Sequence, residues 1–177
     1  MDKSFYKKCI QYEVYGNKKL NFMEKLIKKY FAATTNCVFM IRKMQYLYNK
    51  GAFNRLRSLI IRKKLITKYS VHIYPDAKIG LGLYIPYPCC IVINGRSIIG
   101  SNFTILQNCT IGIKSLDDEY GPAPKIGNNV KMYANSIILG DINVVDDVVL
   151  GANSLLLKDA LVSGVYLGSP AKLFEKK

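Results

Sequence analysis

Aliphatic residues recur at every sixth position through the C-terminal part of this 177-residue chain. This period fits neither the 3.6-residue turn of a helix nor the two-residue alternation of a strand. It fits a short strand followed by a tight corner, repeated so that three units complete one coil with the aliphatic side chains inside. The 13 positions are Ile73, Ile79 and Ile85, then Ile93, Ile99, Ile105 and Ile111, then Ile126, Met132, Ile138, Val144, Leu150 and Leu156.

Glycine and asparagine recur beside these positions, where they can supply the positive φ that tight corners require. Residues 71–177 are therefore predicted to form an all-β hexapeptide parallel β-helix, and the period alone leaves its handedness open. The glycines are Gly80, Gly100, Gly112, Gly127 and Gly151, and the polar residues are Asn102, Asn128, Asn129, Asp146 and Asp147.

Two interruptions break the six-residue period. Ile85 and Ile93 are eight residues apart, which adds two residues near positions 86–89. Ile111 and Ile126 are fifteen apart, which corresponds to two units plus three residues. A β-helix accommodates insertions only at its corners, and loops there commonly carry function. Both insertions are expected to border one functional cleft, with drifted surface loops as the alternative.

Residues 1–70 differ from the rest of the chain in charge. They hold 17 of the 26 Lys and Arg residues and three of the 12 Asp and Glu residues, so residues 71–177 are neutral. Apolar residues keep helical spacing over 18–66, with a turn near 49–51 and basic residues on the opposite faces. We expect an α-helical region over 1–70 that caps the β-helix over 71–177. Peripheral contact of residues 1–66 with an anionic membrane is compatible with this cap, and no nucleic-acid-binding module is recognised.

The five cysteines follow no metal-ligand spacing and accompany a single histidine. This argues against a zinc site and favours reduced thiols in a cytoplasmic protein. Adjacent Cys89 and Cys90 would need an activating base to act as nucleophiles, so small buried or partly buried thiols are expected there. No apolar run is long enough to span a membrane.

Several segments between residues 70 and 174 resemble a known family. The segments are residues 73–80, 91–94, 99–107, 110–112, 125–130, 138–142 and 167–172, the last of which carries a Gly-x-Pro-Ala-Lys tail. They resemble serine acetyltransferases and the related capsule and exopolysaccharide O-acetyltransferases, and the short helical N-terminus is more similar to the exopolysaccharide branch. The resemblance implies a left-handed β-helix, a homotrimer and acetyl-CoA as co-substrate, held between adjacent subunits with no metal.

The resemblance also assigns the catalytic positions, where this chain departs from the family. A histidine base, oriented by an aspartate, takes the proton of the acceptor hydroxyl in the family. Here Tyr87 stands at the base position and His72 at the orienting position, and Ala123 replaces a second site histidine. Pro86 and Pro122 stand where side chains would clamp serine. A sugar hydroxyl of a surface polysaccharide is therefore the expected acceptor rather than free serine.

Three alternatives are open for catalysis. In the first, called here the exchanged dyad, His72 and Tyr87 exchange the two family roles, so that His72 accepts the proton directly or through Tyr87. In the second, catalysis is lost and the chain serves as a CoA-binding or scaffold subunit. In the third, the base lies in the inserted loop, at Asp117, Asp118 or Glu119.

For acetyl-CoA, the resemblance implies a groove of small residues with a few cations at the phosphates. Gly112 and Ile113 would lie beside the thioester. Ala134 and Ala152 would let the pantetheine arm pass close to the coil. The cations expected to face the phosphates are Lys158 and Lys172.

Overall fold

Four helical segments form the N-terminal region of the computed structural model, which describes residues 1–114 and 121–174. Two of them end in π-helical turns. The turn expected near 49–51 is present, and Gly51 adopts φ 84° there. Helical structure begins well before residue 18, where the sequence pattern starts. The segments are α1 (Lys3–Cys9, continued by Ile10–Val14), α2 (Phe22–Leu26, continued by Ile27–Phe31), α3 (Ala33–Tyr48) and α4 (Ala52–Tyr69).

Short strands after α4 form three sheets, and successive strands visit the sheets in turn. Sheet A contains β1 (His72–Ile73), β3 (Val92–Ile93), β6 (Thr110–Gly112), β9 (Ile137–Leu139) and β12 (Leu155–Leu156). Sheet B contains β2 (Lys78–Ile79), β4 (Ile98–Ile99), β7 (Lys125–Ile126) and β10 (Asn143–Val144). Sheet C contains β5 (Thr104–Ile105), β8 (Lys131–Met132), β11 (Val148–Leu150), β13 (Gly164–Gly168) and β14 (Ala171–Leu173). All pairings are parallel except the terminal β13–β14 hairpin, so the chain forms the three-sided parallel β-helix that the period predicts.

All 13 aliphatic positions of the six-residue series are buried, at most 6% exposed. Each lies opposite its equivalent in the next coil, which confirms the predicted stacking. Burial of one such side chain contributes roughly 1.5–3 kcal/mol, so these ladders are the main stabilising element of the β-helix. The ladder of sheet A is Ile73, Ile93, Ile111, Ile138 and Leu156.

Asparagine side chains stabilise the corners that require positive φ. Asn108, Asn135 and Asn153 adopt φ of 58°, 61° and 57°. Nδ2 of Asn108 donates to Oδ1 of Asn135 at 2.9 Å, and Nδ2 of Asn135 donates to Oδ1 of Asn153 at 3.0 Å. Asparagine tolerates the left-handed region better than most residues. The prediction is confirmed for Asn102, Asn129 and Asp147, but it is wrong for Asn128 and Asp146, which are absent from the positive-φ residues. A second ladder of this kind joins Asn102, Asn129 and Asp147.

The glycines that follow the aliphatic positions allow close contact between coils rather than positive φ. Gly80, Gly100 and Gly127 are absent from the positive-φ residues. A Cβ atom at Gly80 would lie 2.6 Å from the carbonyl carbon of Gly100, and one at Gly100 would lie 2.6 Å from that of Gly127. The prediction that these glycines supply positive φ is wrong, because what they allow is close contact between neighbouring coils.

The second interruption of the period is a single enlarged corner. β6 of sheet A is followed by β7 of sheet B, as at an ordinary corner between these sheets. The spacing of fifteen between Ile111 and Ile126 therefore replaces the usual six. The prediction of two units plus three residues is wrong, because two complete units after Ile111 would place Ile126 in sheet C, whereas β7 belongs to sheet B.

A buried ion pair joins the helices to the first coil. Arg42 of α3 lies with its Nη2 atom 2.6 Å from Oε1 of Glu13, and both side chains are 0% exposed. The guanidinium also donates to the carbonyl oxygens of Ile79 and Gly80, at 2.9 and 2.6 Å. Oε1 of Glu13 accepts from the backbone N–H groups of residues 82 and 83. The prediction that basic residues lie on the helix faces opposite the apolar ones is therefore wrong for Arg42, which is buried.

Removing one partner of this pair is predicted to destabilise the protein strongly, because the other charge would stay buried alone. Arg42→Met should lower the free energy of unfolding by about 3–5 kcal/mol in urea denaturation. Lys63→Met, which removes an exposed cation of α4, is the control and should change it by less than about 0.5 kcal/mol. Equal effects of the two substitutions would contradict the anchoring role of Arg42.

Candidate active site

One edge of sheet A is a column of four stacked corners in which the chain passes from sheet C to sheet A, called here the C–A edge. Tyr87, Ala134 and Ala152 share this edge. It consists of residues 86–90, 106–108, 133–135 and 151–153. Backbone N–H donors link the corners: Asn108 to the Cys89 carbonyl at 3.0 Å, Asn135 to Gln107 at 3.1 Å and Asn153 to Ala134 at 3.0 Å.

Tyr87 lies in the first and widest corner of the C–A edge, with 61% of its surface exposed. Oγ1 of Thr34, in α3, donates to the carbonyl oxygen of Pro86 at 3.1 Å. The N–H group of Cys90 donates to the carbonyl oxygen of Tyr69, the last residue of α4, at 3.2 Å. The helical region therefore holds the backbone on both sides of Tyr87.

His72 lies on the outward face of β1, the first strand of sheet A. Its N–H group donates to the Ile91 carbonyl at 2.7 Å, and the residue pairs with Val92. Because Val92 follows the corner that carries Tyr87, both candidate catalytic residues lie at the same end of sheet A. In residues 1–114 and 121–174 no hydrogen bond joins their side chains. The exchanged dyad rests on this shared location rather than on direct contact.

The other edge of sheet A, where the chain passes from sheet A to sheet B, is called the A–B edge. Gly112 ends β6 at this edge, and its carbonyl oxygen accepts from the Gly140 N–H group at 3.0 Å. A Cβ atom at Gly112 would lie 3.2 Å from Cδ2 of Leu139, so a side chain would be crowded there. Ile113 follows directly, and the exposed Lys158 lies at this edge in the last coil.

Lys172 lies on the terminal hairpin, where it pairs with Leu167. The N–H group of Gly168 in this hairpin donates to Oγ of Ser154 at 3.1 Å. Since Ser154 follows the last corner of the C–A edge, the hairpin contacts that edge. The predicted acetyl-CoA residues therefore divide between the two edges of sheet A.

The two interruptions of the period divide in the same way. The first adds two residues to the C–A edge, and the second enlarges the A–B edge. Sheet A separates them, so the expectation that both border one cleft is wrong for a single chain. Ala123, in the second interruption, is buried. The alternative bases Asp117, Asp118 and Glu119 lie outside the described residues.

Arg96 is a residue of the A–B edge that the sequence analysis missed. Its Nη1 atom donates to the carbonyl oxygen of Gly121 at 2.6 Å, which holds the far side of the enlarged corner. The only local signal is the Asn-Gly-Arg sequence at 94–96, which is typical of a turn. The contact spans 25 residues, so no periodicity could reveal it.

Cys89 and Cys90 are exposed, which corrects the expectation of buried or partly buried thiols. Their Sγ atoms lie 3.6 Å apart, and the contact with Cys90 raises the pKa of Cys89. Cys90 adopts φ 51° and occupies the slot that asparagine takes in the other corners of the C–A edge. In the part of the chain that the structure describes, no group of three or more His, Cys, Asp or Glu residues is arranged to hold a metal.

A groove of about 740 Å³ lies between α1, α3 and sheet B. Phe5, Gln45, Asp76 and Ile98 are among its lining residues. It contains none of the predicted site residues, so this groove is distinct from the candidate site.

The exposure of the vicinal thiols predicts selective alkylation. N-ethylmaleimide should modify Cys89 and Cys90 in the native protein, whereas Cys9, Cys37 and Cys109 react only in urea because they are buried. Burial also raises the pKa of Cys9 to about 11 and that of Cys37 to about 12, which keeps both as poorly reactive thiols. Peptide mass spectrometry reads the pattern, and early modification of a buried cysteine would contradict the described packing.

Comparison with known proteins returns serine acetyltransferases. No protein-family model matches the chain. The chain is 34% identical over 125 residues to mitochondrial serine acetyltransferase 3 of Arabidopsis thaliana, covering 70% of this chain and 31% of that protein. It is 32% identical over 131 residues to serine acetyltransferase of Staphylococcus aureus (strain Mu50 / ATCC 700699), covering 73% and 60%. The matches thus span from about a third to three-fifths of these relatives.

Solved structures show the same fold. The crystal structure of Neisseria gonorrhoeae serine acetyltransferase superimposes with a TM-score of 0.82 at 24% identity, covering 99% of this chain and 68% of that chain. A serine acetyltransferase in complex with CoA superimposes with a TM-score of 0.74 at 25% identity, covering 96% and 68%. The likeness extends over the N-terminal helices as well as the β-helix.

Proposed function

The sequence similarity supports placing this chain in the serine acetyltransferase family of hexapeptide-repeat acyltransferases, and from that premise we propose that it transfers an acetyl group from acetyl-CoA to a hydroxyl group. The observation that carries the proposal is the similarity across the β-helix, the part of the chain that holds both edges of sheet A. The relation to a solved complex with CoA supports acetyl-CoA as the co-substrate. The cytoplasmic location stays a prediction.

Free serine is the acceptor that the comparisons favour. The relatives are serine acetyltransferases, and one related structure is a complex with serine. These relatives do not support a polysaccharide sugar as the preferred acceptor. They also do not support membership of the capsule and exopolysaccharide branch. Pro86 and Pro122 would leave serine to be held by other groups, because proline offers neither charge nor a backbone N–H. Serine is therefore the first acceptor to test and a sugar hydroxyl the second.

The proposed chemistry needs one group to accept a proton. The acceptor oxygen bonds to the acetyl carbon, whose carbonyl oxygen becomes an oxyanion. The carbon–sulfur bond then breaks, and the CoA thiolate leaves and takes up the proton that came from the hydroxyl group. His72 accepts the hydroxyl proton directly or through the Tyr87 hydroxyl, and backbone N–H groups stabilise the oxyanion. The placement of both residues at one end of sheet A supports this assignment.

The acetyl-CoA groove is proposed to form between two copies of the chain. Ala134 and Ala152 lie on the C–A edge, whereas Gly112, Ile113 and Lys158 lie on the A–B edge. One molecule of acetyl-CoA can contact both sets if the C–A edge of one copy faces the A–B edge of the next. This arrangement repeated around an axis closes as the proposed homotrimer. The likeness to the solved structures supports the left-handed sense of the coil.

A non-catalytic role is the second candidate. What favours it is the sequence itself, which has Tyr87 at the position that the resemblance assigns to the family's base histidine. A tyrosine is a poor base alone. In this case the β-helix binds CoA as a scaffold subunit and transfers no acetyl group.

An acceptor panel tests the proposal. The protein is incubated with acetyl-CoA and serine, or with nucleotide-linked sugars, and free CoA and acetylated product are measured by mass spectrometry. We expect acetyl transfer to serine and a higher melting temperature with CoA. Stabilisation by CoA without transfer would favour the scaffold role, and neither effect would contradict the proposed function.

Substitutions at the candidate dyad test its mechanism. His72→Gln and Tyr87→Phe should each lower acetyl transfer roughly 10²–10⁴-fold while CoA still raises the melting temperature. Tyr84→Phe is the matched control, because Tyr84 is an equally exposed tyrosine on the sheet C side. Unchanged transfer in both dyad variants would rule out the exchanged dyad.

A further inference from the structure

The helical segment 22–31 leaves most of its large apolar side chains exposed, although Leu26 is half-buried and the Tyr30 ring packs edge-on against Phe39 of α3. Five large apolar residues within ten positions are exposed, and together they are called here the apolar face. An exposed cluster of this kind marks an interaction surface more often than an isolated exposed side chain does. Its members are Phe22 (74% exposed), Met23 (62%), Ile27 (51%), Tyr30 (49%) and Phe31 (81%).

The orientation of this segment is set by its polar contacts with α3. Oγ1 of Thr35 donates to the carbonyl oxygen of Lys28. Nδ2 of Asn36 donates to that of Lys29 at 2.6 Å, and Nζ of Lys29 lies 4.6 Å from the centre of the Phe39 ring. A soluble helix ordinarily places its apolar side toward the core. This segment departs from that pattern, because its backbone at Lys28 and Lys29 and the Lys29 side chain pack on α3, whereas most of its large apolar side chains are exposed.

The segment is a formed helix rather than an unstructured tail. The side chain of Asn21 accepts from the Glu24 N–H group at 2.9 Å, and the side chain of Glu24 accepts from the Asn21 N–H group at 2.8 Å. This capping box fixes the helix start. The apolar face is therefore presented on a preformed scaffold, which lowers the entropic cost of binding.

The surroundings of the apolar face are cationic. Residues 1–31 contain eight lysines and three acidic residues. Of the acids, Glu13 is buried against Arg42, and Glu24 caps the helix. Lys18, Lys19 and Lys25 are exposed and lie within or just before this segment in the sequence. The partner must therefore offer negative charge and an apolar phase together.

An anionic lipid bilayer meets both requirements. We propose that residues 22–31 lie in the interface of a membrane that contains anionic lipid, with the apolar face at the acyl boundary and the lysines at the phosphates. A second copy presenting the same face would bring like charges together. A nucleic acid would satisfy the lysines but leave the apolar face in water. No helix in the described ranges is long and apolar enough to cross a membrane.

Vesicle flotation of the full chain tests the proposal. Binding is measured on phosphatidylcholine vesicles with and without about 30% phosphatidylserine, at roughly 0.1 and 0.5 M salt. We expect binding to the anionic vesicles that falls at least tenfold at the higher salt, and little binding to phosphatidylcholine alone. Equal binding to both vesicles, or none to either, would overturn the proposal.

Matched variants locate the contact. Phe22→Ser with Phe31→Ser should weaken binding at least tenfold, because two exposed aromatic side chains no longer enter the bilayer. Leu161→Ser with Val162→Ser removes two exposed apolar side chains of the β-helix and should leave binding unchanged. Unchanged melting temperatures verify that both variants fold. If the Phe22→Ser, Phe31→Ser variant binds the vesicles as well as the parent protein does, the proposal is wrong. It is also wrong if the parent protein does not bind vesicles and the variant instead loses self-association.

Discussion

The stacking of each inward aliphatic side chain on its equivalent in the neighbouring coil is the constraint on which the structure depends. Ile73, Ile93 and Ile111 illustrate it, since each is fully buried and lies in register with the next. A residue added within a strand would move every later side chain out of its ladder. Added residues are therefore confined to corners. Both interruptions of the period are such corners, and both border sheet A.

The Arg42–Glu13 pair extends this constraint to the helices. It satisfies backbone groups of the first coil at residues 79–83, which would otherwise be buried without partners. The same helices hold the corner of Tyr87 through Thr34 and the last residue of α4. The same helix, α3, therefore contacts the first coil, the corner of Tyr87 and the segment 22–31.

The sequence predicted the β-helix because a strict six-residue period has few structural explanations, and it predicted the corners at Asn102 and Asn129 because asparagine tolerates positive φ. It could not predict the burial of Arg42, since helical spacing does not distinguish a paired interior cation from a solvated one. It also could not assign the spacing of fifteen to one corner, because several unit counts fit that number. The positive φ of Cys90, at a position that asparagine occupies in the other corners, could not be predicted, since cysteine has no turn preference. The division of the site between two edges needed the order of the sheets.

The proposed site is completed by two copies of the chain, across the two edges of sheet A. Photocrosslinking from the C–A edge, with a benzophenone amino acid in place of Tyr87, tests this arrangement. We expect a covalent product between chains, with the crosslink mapped by mass spectrometry to the A–B edge near Gly112 or Pro124. A crosslink confined to one chain, or one that maps to the groove beside sheet B, would contradict it.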